Sequence, residues 1–152
     1  MTEKALWYKL WGMKFARRIL IAGGLFNAVM GLFFFNEELL RLFFRFALSV
    51  EETVFRHPAM LPFPQNPTHL LLIHGFGAAA LILGATLIYS SRYPVRFLPF
   101  IFLDGLGRLL YGSLMVVSVL RYSLMWLILA FGIIELLFAL SYLFLSWKLS
   151  ER

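Results

Sequence analysis

The 152-residue sequence contains no cysteine, and only 14% of its residues are charged. The missing thiols exclude disulfides, thiolate zinc sites and iron–sulfur clusters held by cysteine. So little charge, with 61% hydrophobic residues and a mean hydropathy of +0.82, excludes an ordinary soluble domain. Because the apolar residues form long blocks rather than short alternating runs, the sequence predicts an all-α integral membrane protein.

Four of the apolar blocks are long enough to cross a bilayer as helices. They predict a single membrane domain over residues 1–152, built as a four-transmembrane-helix bundle. The predicted spans run roughly over residues 19–35, 68–89, 95–120 and 124–147. Asn66 followed by Pro67 is a favourable start for the second span, since asparagine caps helices and proline suits their first turn. The preceding segment, residues 57–67, contains four prolines and predicts a stiff loop.

The first loop contains a segment with a different pattern, from Glu37 to Arg56. Burying its arginines and glutamates across a bilayer would cost about 2.5–3.5 kcal/mol per charge near the helix centre. Its polar residues nevertheless recur every three or four positions, which places them on one helical face. The sequence therefore predicts an interfacial amphipathic helix over residues 37–56, with a polar face formed by Glu38, Arg41, Arg45, Ser49, Glu52 and Arg56.

The distribution of lysine and arginine predicts the orientation of the chain. Nine of these residues lie beside the N-terminus, the second loop and the C-terminus, against four on the opposite side. The positive-inside rule then places both termini in the cytoplasm, with the amphipathic helix outside. The membrane itself is expected to be a bacterial inner membrane. This topology also explains the net charge of +6, so no nucleic-acid partner is expected. The expected partners are the bilayer and either a second copy of the chain or another membrane protein.

Around the second and third spans stand His74-Gly75, Gly84, Tyr89, Arg92-Tyr93-Pro94-Val95-Arg96, Pro99 and Gly105-Leu106-Gly107-Arg108. In this order they resemble a pattern in small bacterial four-helix membrane proteins of the BphX-like type. The resemblance covers about a third of the chain. It implies a four-helix membrane fold, and it brings no activity or cofactor with it.

Polar residues lie well inside all four apolar spans, and intramembrane ionisable residues are by default a functional hypothesis. At about 1.5 Å per residue, those on the first, third and fourth spans fall near the same depth. His74 is expected about 7 Å farther out. We therefore predict one buried polar cluster, with Arg108 at its centre and paired to Asp104, Glu135 or both. Its candidate members are Asn27, His74, Asp104, Arg108, Tyr111 and Glu135.

Two interpretations of this cluster are open. In the first, the ion pairs and hydrogen bonds only hold helices together. In the second, two carboxylates oppose one obligate cation, so that one carboxylate takes up a proton unless His74 is charged. Such a group would serve a proton pathway or a general acid. No metal site is predicted, because His69 and His74 do not share a helix face, and no cofactor is predicted.

Three functions follow from these interpretations. The first is an accessory or packing subunit that self-associates or binds a membrane partner, without enzymatic activity. The second is a proton-coupled transporter or channel that uses Asp104, Arg108 and Glu135. The third is a membrane enzyme acting on a lipophilic substrate, with Glu135 or His74 as acid or base.

Overall fold

A computed structural model describes residues 3–56 and 63–150, with side chains from residue 12 onward. These residues form five α-helices and no strand: α1 (Glu3–Phe35), α2 (Glu37–Thr53), α3 (Pro67–Ser90), α4 (Leu98–Tyr122) and α5 (Trp126–Ser150). Four segments are long and apolar enough to cross a bilayer, namely Gly12–Phe35, Pro67–Ser90, Leu98–Tyr122 and Trp126–Ser150. The protein is thus a four-helix integral membrane protein with one additional helix, α2, in the first loop.

The helix bounds differ from the predicted ones at several ends. Helix α1 begins at Glu3 rather than at residue 19, because hydropathy locates the apolar part of a helix and not its first turn. Helix α4 begins at Leu98 rather than at residue 95, after a series of turns that contains Pro94. Asn66 caps α3 as predicted, its Oδ1 accepting from the backbone N–H of Thr68 at 2.8 Å. Part of the predicted proline loop, residues 57–62, lies outside the described residues.

The spanning helices associate as two pairs, α1 with α3 and α4 with α5. Glycines allow the close approach within each pair. A Cβ atom added to Gly84 would lie 2.7 Å from the carbonyl oxygen of Gly24, and one added to Gly112 would lie 3.0 Å from that of Gly132. Small residues at helix contacts are the usual means of packing in lipid, where no hydrophobic force drives helices together.

Among the described residues, the two pairs meet in an apolar core at one end of the bundle. There one residue from each spanning helix is fully buried, namely Leu20, Leu87, Ile101 and Tyr142. Ala16, Leu145 and Leu149 extend this contact toward the C-terminus of α5. At the other end, the pairs are separated and α2 packs against α1 and α5.

Helix α2 turns its predicted polar face away from the bundle. Asn36 caps its start, accepting from the N–H groups of Glu38 and Leu39 at 2.9 and 3.1 Å. Glu37 and Arg41 form an exposed ion pair of 2.7 Å. The helix ends at Thr53, so Arg56, predicted as its last polar-face residue, lies beyond the helix with a φ of 52°. The side chains that α2 buries are Leu40, Ala47 and Glu51.

Candidate functional site

Arg108 lies at the centre of a hydrogen-bonded cluster that joins three helices. Its Nε donates to Oδ2 of Asp104 at 2.8 Å, one turn earlier on α4. Its Nη1 donates to Oε2 of Glu135 on α5 at 2.5 Å, and its Nη2 donates to Oδ1 of Asn27 on α1 at 2.9 Å. The structure therefore brings together four of the six candidate residues, and the bond to Asn27 connects the two helix pairs.

The backbone packing of the pair α4 and α5 explains why Glu135 reaches Arg108. Gly112 follows Arg108 by one turn, and a Cβ added to Gly112 would lie 3.2 Å from Cβ of Glu135. The missing side chain therefore lets α5 approach until the carboxylate meets the guanidinium. Gly105, next to Asp104, faces Tyr142 and Leu143 of α5 in the same way.

The cluster is buried, and its formal charges do not balance. The side chains of Arg108 and Asp104 are 5% and 7% exposed, and that of Glu135 is 11% exposed. In formal charge, two carboxylates face one guanidinium. A buried ion pair contributes little net stability, but removing one partner leaves an uncompensated charge and is strongly destabilising. The cluster therefore fixes the relative positions of α1, α4 and α5.

A partly open cavity of about 640 Å³ adjoins the cluster on the side of α2. It occupies the space where the helix pairs separate, and all five helices contribute to its wall. On α5 the lining extends from Leu127 to Glu135, about 12 Å along the helix axis. Most of the wall is apolar, and its aromatic side chains are Phe26, Phe34, Phe43, Phe44, Phe76, Tyr111 and Phe131.

The polar residues of the cavity wall are few. Asn27 and Glu135 belong both to the Arg108 cluster and to the cavity lining, and Tyr111 and Ser118 of α4 join them. Within the described part of the chain, Oε1 of Glu135 accepts no hydrogen bond, because Arg108 bonds only Oε2. Two residues of the cavity wall, Glu135 and Asn27, thus have hydrogen-bonding capacity to spare.

His74 does not join the cluster with which it was grouped. Its Nδ1 donates instead to the backbone carbonyl of Phe34 at 2.8 Å. That carbonyl belongs to the last turn of α1, where the helix has no N–H group of its own to bond. His74 thus caps the end of α1 from α3, and it is not among the residues that line the cavity.

Glu51 has a helix-capping role that the sequence analysis did not predict. It lies off the polar face of α2, is 0% exposed, and accepts from the backbone N–H groups of Trp126 and Leu127 at 2.8 and 3.1 Å. A carboxylate at this place satisfies donors at the N-terminus of α5 and complements the helix dipole. The only signal in the sequence was an acidic residue one position outside the polar stripe.

Two buried hydroxyls lie on the other side of the cluster, away from the cavity. Tyr142 and Ser146 follow Glu135 along α5, and neither hydroxyl has a hydrogen-bond partner among the described residues. The guanidinium carbon of Arg108 lies 5.4 Å from the Tyr142 ring centroid. Polar side chains therefore continue from Glu135 toward the C-terminus of α5.

No family model, curated protein or solved structure matches this chain. Among the residues that the structure describes, no group of three or more histidine or acidic side chains is arranged to hold a metal ion. What the described site offers is an apolar chamber with hydrogen-bonding and charged groups at one end.

Proposed function

We propose that the protein binds a lipophilic molecule in the intramembrane cavity, with the polar end of that molecule at Glu135 and Asn27. The observation that carries this proposal is that both residues belong to the Arg108 cluster and to the wall of the cavity. A rigid polar end and an apolar body are the two elements of most small-molecule sites. The cavity of about 640 Å³ also falls within the usual range of such sites, about 300–1,000 Å³.

The packing role, expected first from the sequence, accounts for only part of this arrangement. Arg108, with three bonded acceptors, is what a packing cluster requires. However, close-packed interiors contain few voids larger than a water molecule. A chamber of about 640 Å³ beside the cluster is therefore unexplained by packing, and it favours a bound molecule over an accessory subunit.

A pair of alanines on α3 provides the test. Ala80 lines the cavity, whereas its neighbour Ala79 is exposed on the outer surface of the helix. Ala80→Phe should narrow the cavity and reduce binding of the neutral fluorophore diphenylhexatriene at least tenfold, measured by energy transfer from tryptophan in phosphatidylcholine nanodiscs. Ala79→Phe should leave binding unchanged. Equal binding by both variants and the native chain would mean that the probe binds elsewhere.

The proposed orientation places the chain in a bacterial inner membrane with both termini in the cytoplasm. The nine-to-four distribution of lysine and arginine supports it. In that orientation α2 lies flat in the outer interface, and the cavity occupies the outer half of the membrane. Reporter fusions after residue 63 and at the C-terminus test this arrangement. A cytoplasmic signal at residue 63 would reverse it.

A proton-coupled transporter is the second candidate, supported by the two unpartnered hydroxyls. With Glu135, Tyr142 and Ser146 extend a line of polar side chains along α5, from the cavity toward the opposite end of the bundle. Liposomes loaded with a pH-sensitive dye should show proton flux that Ser146→Ala reduces severalfold. Ser141→Ala is the matched control, since Ser141 bonds the carbonyl of Leu137 in its own helix. Flux no greater than in protein-free liposomes would remove this candidate.

A further inference from the structure

The charges around the cavity indicate which lipophilic molecules it accepts. Among the lining residues, which all belong to the described part of the chain, Glu135 is the only one with a formal charge. Behind it, Asp104 adds a second negative charge, and Arg108 supplies the one positive charge of the cluster. With both carboxylates ionised, the polar end of the cavity is negative in sum, and a bound cation would balance that charge in apolar surroundings, where the attraction is strong.

Arg108 is poorly placed to attract an anion into this space. Its Nε, Nη1 and Nη2 already donate to Asp104, Glu135 and Asn27. It does not line the cavity, whereas Glu135 does, and Oε1 of Glu135 accepts no hydrogen bond from the described residues. A ligand carboxylate would therefore meet another carboxylate before it met the guanidinium.

Aromatic rings next to Glu135 add a second attraction for positive charge. Phe131 lies one turn from Glu135 on α5, and both residues line the cavity. The Phe131 ring is 6.3 Å from that of Phe26 on α1, which precedes Asn27. Ring faces attract cations within about 6 Å, most strongly where water is excluded. A carboxylate with two aromatic side chains in the same cavity wall suits an ammonium group better than a hydroxyl or a carboxylate.

We infer that the cavity selects lipophilic cations: an amine or quaternary ammonium group lies at Glu135 beside the rings of Phe26 and Phe131, and the apolar body extends toward α2. This inference rests on the proposed function, because it assigns a ligand class to the same cavity. It assigns to Glu135 a second role besides pairing with Arg108, namely recognition of charge.

Three fluorophores of the same shape test the inference: cationic trimethylammonium-diphenylhexatriene, neutral diphenylhexatriene and the anionic propionate derivative. With the native chain in phosphatidylcholine nanodiscs, the cationic probe should bind at least tenfold more tightly than the anionic one, and the neutral probe should be intermediate. Binding attributed to the cavity is the part that Ala80→Phe removes and Ala79→Phe retains. Equal or tighter cavity binding of the anionic probe overturns the inference while leaving the proposed function intact. If Ala80→Phe reduces the binding of none of the probes, both fail.

Two variants assign the selectivity to residues. Glu135→Gln keeps an oxygen for Arg108 and should abolish the preference for the cation while retaining the neutral probe. Phe131→Leu leaves the Arg108 cluster intact. It should weaken binding of the cationic probe about threefold or more and have little effect on binding of the neutral probe. A cationic preference that survives both substitutions would show that the charge selectivity has another origin.

Discussion

Along α1 and α3 the backbones nearly touch, since a Cβ on Gly31 would lie 2.9 Å from the carbonyl oxygen of Gly77. Between the two helix pairs on the side of α2, the same α1 instead borders a cavity of about 640 Å³ and joins α4 through the bond from Arg108 to Asn27. The contact of α1 with α3 is thus backbone-close, whereas on the side of α2 the contacts between the pairs are few and include a polar one. The first kind suits permanent assembly, and the second leaves room for a ligand.

We expect the largest loss of stability from substitution of Arg108, which bonds Glu135 within a helix pair and Asn27 between the pairs. Arg108→Leu removes the donor to Asn27 between the pairs and leaves the carboxylates of Asp104 and Glu135 without their cation. Loss of one partner of a buried ion pair costs about 3–5 kcal/mol. The free energy of unfolding in detergent micelles, measured by SDS titration with circular dichroism, should fall by that amount.

Adding Glu135→Gln to Arg108→Leu should restore part of this stability, because one of the stranded charges is then removed. Arg121→Leu is the control, since Arg121 is exposed near the end of the same helix. Zero coupling of Arg108 with both carboxylates would contradict the cluster as the source of the loss.

Contacts within a pair are tested by two glycines of α3 that lie two positions apart. A Cβ on Gly77 would lie 2.5 Å from the backbone nitrogen of Phe35, while one on Gly75 meets no atom within 4 Å. Because a backbone atom cannot give way cheaply, Gly77→Ala should destabilise the protein by about 1–3 kcal/mol. Gly75→Ala should stabilise it by about 0.5–1 kcal/mol, the helix preference of alanine over glycine. Equal effects would mean that α1 and α3 are not in backbone contact.

The spans were predictable from sequence because a charge in hydrocarbon is expensive, so long uncharged blocks locate them directly. The same cost predicted that Arg108 would be paired, as the structure has it with Asp104 and Glu135. The cost of burying charge did not, however, predict which helices pack against each other. Gly23 and Gly24 are adjacent, and no sequence pattern distinguishes them. Gly24 nevertheless faces α3, while Gly23 faces Tyr142 of α5.

The capping contacts and the cavity escaped prediction for a related reason. His74 bonds a carbonyl of α1, and Glu51 bonds N–H groups of α5, each depending on where another helix ends. Sequence patterns report the face of a residue on its own helix, not the helix terminus that lies opposite. The cavity likewise follows from how far apart the two pairs lie, which no single segment encodes.

The contact of α2 with α5 is tested by two neighbouring glutamates. Glu51→Ala leaves two N–H groups at the start of α5 without their acceptor and should destabilise the protein by about 1–2 kcal/mol. Glu52→Ala, on the exposed face of α2, should change stability by less than about 0.5 kcal/mol. Faster hydrogen exchange at Trp126 and Leu127 in the first variant alone would place the effect at this cap. Unchanged exchange there would contradict it.

We expect the smallest change in stability from substitution of Tyr142, which lies in the apolar core where the two helix pairs meet. Tyr142 is fully buried, and its hydroxyl has no partner among the described residues. Since a buried unpaired polar group contributes only its desolvation penalty, Tyr142→Phe should be neutral or should stabilise the protein by less than about 1 kcal/mol.

Gly23 makes that last prediction sharper, because a Cβ added there would overlap the Tyr142 hydroxyl. Gly23→Ala alone should therefore destabilise the protein by about 1–3 kcal/mol, whereas Gly23→Ala combined with Tyr142→Phe should recover most of that loss. Additive effects would mean that α1 and α5 are farther apart at this level than the structure has them. A large loss in Tyr142→Phe alone would show that the hydroxyl is bonded in the membrane, and it would then count in favour of the polar line along α5.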